Sequence, residues 1–251
     1  MISFNKIGYM GRLGNQMFQY AALKGIATNK EYWYSIPDRI IELTECFKIP
    51  PTLLNSNNKT INVDSFNFNE HIFNNCPDNV DIVGFFQTEK YFKHIKKQIK
   101  EDFIFKDEIL KKSIEYLNYL NIQTEKIALH IRRTDYCTDK NFLLLDFQYY
   151  ADALKILNNL PVLVFSDDIQ WCKEQIFFKN NRFVFSALEN TNLDLCVMSM
   201  CDYHIIANSS YSWWGSWLAQ SKKTIAPKQW FTGDYKQWNT KDLYLNDWIV
   251  L

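Results

Sequence analysis

Apolar and polar positions alternate most regularly in the second half of the chain, where short runs of β-branched and aromatic residues are separated by longer amphipathic stretches. From Lys126 onward this pattern predicts strands over 127–132, 161–166, 182–186, 203–207 and 223–226, with helices over 146–158, 168–178, 192–201 and 211–221 between them. Strands that alternate with helices imply a parallel, doubly wound sheet, in which ligands sit beyond the carboxyl ends of the strands. That edge would gather His130 with Arg132, the run Ser166-Asp167-Asp168, and Asn208-Ser209-Ser210. The first half opens in the same way, with a strand-like segment over 2–10, a glycine turn, and a helical pattern through Met17, Tyr20, Ala21, Leu23 and Lys24. A buried strand over 81–86 and helices over 89–100 and 107–120 follow, whereas 37–80 is rich in Asn with no clear period and predicts irregular connections. A boundary within 121–126 then divides the chain into domains of residues 1–124 and 125–251.

Composition narrows the partners. A chain of 251 residues that is 47% hydrophobic can bury the core of one large domain or two small ones. A formal net charge of zero removes the broad basic field that would collect nucleic acid or an anionic surface, so a phosphate ligand must be held locally. The first residues lack a basic segment followed by an apolar run, and no stretch reaches the length of a membrane span, so the expected location is the cytoplasm. The six cysteines include no C-x-x-C pair, which points to reduced structural thiols and away from a zinc site or disulfide framework. His71, His94 and His204 have no partner at metal-ligand spacing.

The candidate chemistry begins with His130-Ile131-Arg132-Arg133-Thr134-Asp135, which holds two of only five arginines in a lysine-dominated chain. A guanidinium offers paired, planar donors that match phosphate oxygens, whereas lysine is a flexible point charge. Alternation along a strand places His130 and Arg132 on one face and Arg133 on the other, so one arginine can meet a ligand while the other packs. Ion pairing of both at the surface is an equal alternative on this run alone. Gly8, Gly11 and Gly14 punctuate the first turn, and its spacing favours a tight turn before a helix capped by Asn15 over a phosphate-binding helix start. Asp167 and Asp168 could hold a cation, but a cap for the helix near Ile169 and a carboxylate complementing its dipole explain them better, and no metal is assigned. Capping and ligand recognition both remain open for Asp194. Asn208-Ser209-Ser210-Tyr211-Ser212 has the character of a phosphate-binding helix start, and Trp213, Trp214 and Trp217 behind it fall at core spacing.

Five ordered segments carry a resemblance: 11–21 (GRLGNQMFQYA), 84–92 (GFFQTEKYF), 130–135 (HIRRTD), 165–168 (FSDD) and 208–219 (NSSYSWWGSWLA). Together they resemble the alpha-1,2-fucosyltransferases of glycosyltransferase family 11. The resemblance implies an α/β architecture of GT-B type, two Rossmann-like domains facing across a cleft, with GDP-fucose held mainly by the C-terminal one, the N-terminal one on the acceptor side, and no metal. By the same resemblance Arg132 would contact the beta-phosphate, His130 and Asp194 would read guanine, and Ser209, Ser210 and Tyr211 would line the phosphates. Gly14 and Asn15 would approach the reacting sugar or the diphosphate, Asn15 as a catalytic residue beside Arg132, and Arg133 would pack beneath the site. The implied reaction is inverting transfer of fucose to the 2-hydroxyl of a terminal beta-galactoside, in an oligosaccharide or a lipid-linked glycan precursor. The implied setting extends to peripheral association with the inner face of the cytoplasmic membrane. Asp135, Asp139 and Glu89 stay open as the general base. The alternatives are a fucosyltransferase of another linkage or acceptor, and a non-catalytic module that binds GDP or glycan.

Overall fold

The computed structural model describes residues 1–50, 52 and 59–251, so the part of the irregular stretch at 51 and 53–58 lies outside the described residues. The chain divides into two compact units, Met1–Lys106 with Trp238–Leu245, and Asp107–Gln237 with Asn246–Leu251.

In the first unit, β1 (Ile2–Ser3), α1 (Leu13–Asn29), β2 (Tyr34–Ser35), α2 (Glu42–Cys46), β3 (Thr60–Val63), α3 (Glu70–Asn75), β4 (Val80–Gly84) and α4 (Lys96–Asp102) follow in order. The sheet runs β2-β1-β4-β3 and every pairing is parallel. The strand expected over 2–10 stops at Ser3 because the Asp81 carboxylate draws the chain out of the ladder, accepting from Ser3 Oγ at 2.9 Å and from the Asn5 amide at 2.7 Å. Gly8 and Gly11, both at φ +86°, then turn the chain into α1. That helix is buried on nearly all sides, which is why its apolar residues show no single stripe. The helix expected over 89–100 breaks into two 3-10 turns before α4, because Phe92 takes φ −132° and ψ 6° as its ring packs with Phe18.

The second unit holds α5 (Asp107–Leu120), β5 (Ile127–Ile131), α6 (Phe147–Ile156), β6 (Val162–Ser166), α7 (Ile169–Glu174), β7 (Phe183–Phe185), α8 (Thr191–Met198), β8 (Tyr203–Ile205), α9 (Ser210–Ala219), β9 (Lys223–Ala226) and β10 (Ile249–Val250). Its sheet order is β10-β9-β8-β5-β6-β7, all parallel. This is the doubly wound order of a Rossmann fold, with successive strands laid outward from β5 on one side and from β8 on the other. Burial on both faces explains the unbroken apolar runs: Leu129 and Ile131 pack with Tyr150 and Ala153 of α6, and Ala128 and Phe165 pack with Val197 and Met198 of α8.

The observed division differs from the boundary expected at 124/125. Helix α5 belongs to the second unit, where Tyr116, Leu117 and Leu120 pack on the core beside α8 and the Tyr116 hydroxyl accepts from the Ala187 amide at 3.1 Å. Residues 238–245 return to the first unit, where Trp238 stacks on Phe66 with ring centroids 4.6 Å apart and Asp242 accepts from the Phe68 amide at 3.0 Å. Sequence periodicity reports neither long-range docking. Among the described residues, no helix is long and apolar enough to cross a membrane.

Candidate active site

The sheet of the second unit reverses its winding between β5 and β8, and the crevice beyond the carboxyl ends of two such strands is where doubly wound folds bind ligands. His130 is the penultimate residue of β5 and is buried, with Nδ1 2.9 Å from Ser212 Oγ in the first turn of α9. Ser212 Oγ also donates to the Ser209 carbonyl at 3.4 Å. Both bonds are satisfied together when Nδ1 carries the proton, which leaves Nε2 as an acceptor. Burial pushes the imidazole down to about 4, so His130 is neutral near neutral pH.

Helix α9 begins after β8 with extended backbone at Ser209, whose side chain caps the helix by accepting from the Tyr211 amide at 3.3 Å. The first-turn amides of such a helix lie outside its own ladder and carry the positive end of its dipole. Tyr211 packs against the His130 ring at 5.6 Å between centroids and donates its hydroxyl to the Thr191 carbonyl at 2.6 Å, which joins α9 to α8. Trp213, Trp214 and Trp217 are buried behind this turn, as their spacing predicts.

Asp194 does not cap α8. That role belongs to Asn190, whose Oδ1 accepts from the amides of Asn192 and Leu193, both at 3.0 Å. The Asp194 carboxylate instead accepts from Ser186 Oγ, and burial raises it to about 6 against the weaker opposing effect of that bond. A carboxylate kept beyond the needs of its helix, in a partly desolvated place, suits recognition of N–H donors.

Strand β5 ends at Ile131, before both arginines, and each pairs with a carboxylate, as the ion-pairing alternative expects, though with different ones. Arg132 pairs through Nη1 with Asp167 at 2.9 Å and through Nη2 with Asp135 at 2.5 Å. Arg133 turns away, with Cζ 3.5 Å from the centroid of the Trp171 ring and Nε 3.3 Å from Asp168. Asp168 also caps α7 by accepting from the Trp171 amide at 3.3 Å. Asp167 does not complement that helix: it accepts from the Arg133 amide at 2.8 Å and from Thr134 Oγ1, so it ties the turn after β5 to the end of β6. Among the described residues, no three His, Cys, Asp or Glu side chains gather as a metal site would require.

In the first unit the glycine turn and the segment after β4 meet at the carboxyl end of that sheet. Asn15 lies inside α1 and does not cap it; the N-cap is Arg12, without a side-chain bond. The Asn15 Oδ1 accepts from Gln87 Nε2 at 2.6 Å, and its Nδ2 lies so close over Gly11 that a Cβ there would sit 2.1 Å away. Gly11 is thus required both by its positive φ and by the Asn15 amide. Gly14 follows in the first turn of α1, and Gln19 Nε2 holds the Met10 carbonyl at 2.9 Å. Gln87 is the contributor that the sequence left unmarked, and Asp167, expected to cap or complement α7, instead holds Arg132 and the turn after β5; each sits within a recognised segment, but only the fold shows what its side chain holds. Of the open base candidates, Glu89 pairs with Lys96 at 2.9 Å, Asp139 accepts from the Asn141 amide at 2.9 Å, and Asp135 faces Arg132.

The profile of Glycosyl transferase family 11 matches residues 1–251. The chain is 31% identical over 283 aligned positions, covering 95% of it and 96% of the relative, to an Escherichia coli alpha-1,2-colitosyltransferase. It is 37% identical over 131 positions, 47% of the chain and 43% of the relative, to the Escherichia coli O-antigen biosynthesis glycosyltransferase WbnK. Identity to the Bos taurus galactoside 2-alpha-L-fucosyltransferase SEC1 is 24%, over 85% of the chain and 64% of that protein. Among solved structures, a mutant of Arabidopsis thaliana FUT1 in complex with GDP aligns with a TM-score of 0.60 at 11% identity, covering 90% of this chain and 70% of the other. NodZ alpha-1,6-fucosyltransferase soaked with GDP-fucose aligns with a TM-score of 0.55 at 11% identity, covering 90% and 94%. These structures share the GT-B fold with this chain.

Proposed function

The chain belongs to glycosyltransferase family 11, and we propose that it is an inverting transferase that moves L-fucose from GDP-beta-L-fucose to the 2-hydroxyl of a terminal beta-galactoside. The observation that carries the reading is the position of Arg132, beside the neutral His130 and the start of α9 at the switch between β5 and β8. A diphosphate placed there meets a guanidinium and a helix N-terminus together.

In this reading Arg132 contacts the beta-phosphate, and Ser209, Ser210 and Tyr211 line the diphosphate. His130 offers its Nε2 acceptor, and Asp194 its carboxylate, to the N–H edge of guanine. By the family resemblance Gly14 and Asn15 serve the reacting sugar or diphosphate, and Gln87 fixes the Asn15 amide. The acceptor oxygen attacks the anomeric carbon as the bond to the diphosphate oxygen breaks, and the beta-linked donor becomes an alpha-linked product. The hydroxyl proton leaves to a base or to water, and the electron pair leaves with GDP. Arginine aimed at that developing charge lowers the barrier, and losing such a donor costs about 3–4 kcal/mol. The reaction needs no metal, since arginine and helix amides supply the positive charge, and turnover is expected to persist in EDTA. The setting is the cytoplasm, with an oligosaccharide or a lipid-linked precursor at the inner membrane face as acceptor.

A second donor is favoured by a specific observation, the 31% identity to an alpha-1,2-colitosyltransferase. Colitose is fucose without its 3-hydroxyl, so the two donors differ by one hydrogen-bonding group. Competition between GDP-fucose and GDP-colitose for one acceptor decides between them. A kcat/KM at least tenfold in favour of GDP-fucose supports the first reading, and the reverse ratio moves the donor to colitose.

A further inference from the structure

Arg132 has two carboxylate partners, and they are held very differently. Asp167 is 16% exposed and accepts from Arg132, from the Arg133 amide at 2.8 Å and from Thr134 Oγ1. Asp135 is 55% exposed, stands on the 3-10 turn Thr134–Cys137, and is held by Arg132 at 2.5 Å and by Thr134 Oγ1 at 3.3 Å. One carboxylate is built into the junction of β5 and β6, and the other is attached from an exposed turn.

A guanidinium with two carboxylates carries a local formal charge of minus one. A diphosphate arriving at Arg132 would therefore meet a like charge, which repels it across the short distance between neighbouring anions. The partner that can leave is Asp135, because its loss breaks few bonds and returns it to water. Asp167 cannot leave without releasing the turn that carries Arg132. Partial burial opposes ionisation of Asp135, yet the hydrogen bond and charge of Arg132 outweigh it and hold the carboxyl below the usual range.

We propose that Asp135 is an internal substitute for phosphate: in the ligand-free protein it occupies the edge of Arg132 that the diphosphate takes, and it exchanges with donor on binding and with GDP on release. Asp167 is then the positioning residue that keeps the guanidinium aimed while its other partner changes. The exchange breaks no covalent bond; one anion replaces another on the same pair of N–H groups. This assignment rests on the reading of Arg132 as the phosphate contact, and it makes Asp135 a competitor for the donor locus in place of a general base.

The test is GDP binding by calorimetry, with dissociation followed by stopped flow, for the wild type, Asp135→Asn, Asp135→Ala, Asp167→Asn and Arg132→Lys, and guanosine as the phosphate-free control. Both Asp135 variants should bind GDP more tightly, roughly fivefold as expected for one half-exposed charge pair, with slower dissociation and unchanged guanosine affinity. Asp167→Asn should weaken GDP. A structural role for Asp135 predicts the opposite sign, so unchanged or weaker GDP binding by both folded Asp135 variants overturns the exchange. If Arg132→Lys binds GDP like the wild type, the phosphate assignment itself fails and the exchange falls with it. Loss of GDP binding in Arg132→Lys with no gain in the Asp135 variants sinks the exchange alone.

Discussion

Arg132 and Arg133 are adjacent in sequence and pair with different carboxylates, which makes them the sharpest comparison among single residues. Arg132→Ala is expected to lower kcat about 100- to 1000-fold, the usual cost of one donor to transition-state charge. Arg133→Ala removes the stack on Trp171 and the bond to Asp168, and is expected to lower stability by about 1–2 kcal/mol with a smaller effect on turnover. Steady-state rates beside urea midpoints separate the two outcomes, and equal losses of kcat in two well-folded proteins would contradict the assignment. Asp194 shows a stability cost carried by a single group. Its carboxyl, raised to about 6, is ionised at pH 7 against its surroundings, at a cost of about 3 kcal/mol relative to the unfolded chain. Asp194→Asn should therefore be at least as stable as the wild type at pH 7, while binding GDP at least tenfold more weakly. A variant that loses both stability and affinity would mean that Asp194 is structural. Ion pairing of both arginines was legible in the sequence, whereas the carboxylates that each pairs with were not. Nor was the true place of Asn15, because the choice between capping and facing Gln87 depends on a residue 72 positions away.

At the scale of elements, the site depends on β5 and α9 being locked together by the contact of His130 with Ser212. Ser212→Ala leaves a buried imidazole N–H without its partner, and a stability loss of about 1–3 kcal/mol is expected with weakened GDP binding. Ser212→Thr keeps the hydroxyl, so recovery of GDP affinity in that variant, read by calorimetry, would separate the bond from simple packing; no loss in Ser212→Ala would refute the lock. The alternating elements of the second unit were legible to within a few residues because burial on both faces makes each strand a short apolar run. Those of the first unit were less so, since Asp81 ends β1 after two residues and β2 is equally short. Docking of α5 beside α8, and of 238–245 into the first unit, leaves no periodic trace and displaced the expected boundary.

At the scale of the whole molecule, two buried histidines set the response to acid. His130 and His204 are both pushed by burial to about 4, the latter between Ser221 Oγ at 2.8 Å and the Met198 carbonyl at 2.9 Å. Their folded values lie below the unfolded value near ~6.5, so the unfolded chain binds more protons between the two. Their contribution is complete above about pH 6.5 and declines as pH falls toward 4. Asp194 acts with the opposite sign between the ordinary carboxyl range and about 6, and offsets part of this. A net stability loss of about 2 kcal/mol is expected between pH 7 and pH 5, with a shallower slope in His204→Gln, both read from urea midpoints. A pH-independent midpoint over that range would contradict the burial argument.

Transfer from a GDP-linked 6-deoxy sugar through the Arg132 site is tested first by the linkage of the product. The protein is incubated in EDTA with GDP-fucose and a beta-galactoside such as lactose, GDP release is followed, and the product is analysed by mass and glycosidic linkage. GDP release is expected to depend on the acceptor and to yield an alpha-1,2-fucosylated galactoside, and to be lost in Arg132→Ala. A product of another linkage, or equal turnover in Arg132→Ala, would contradict this expectation.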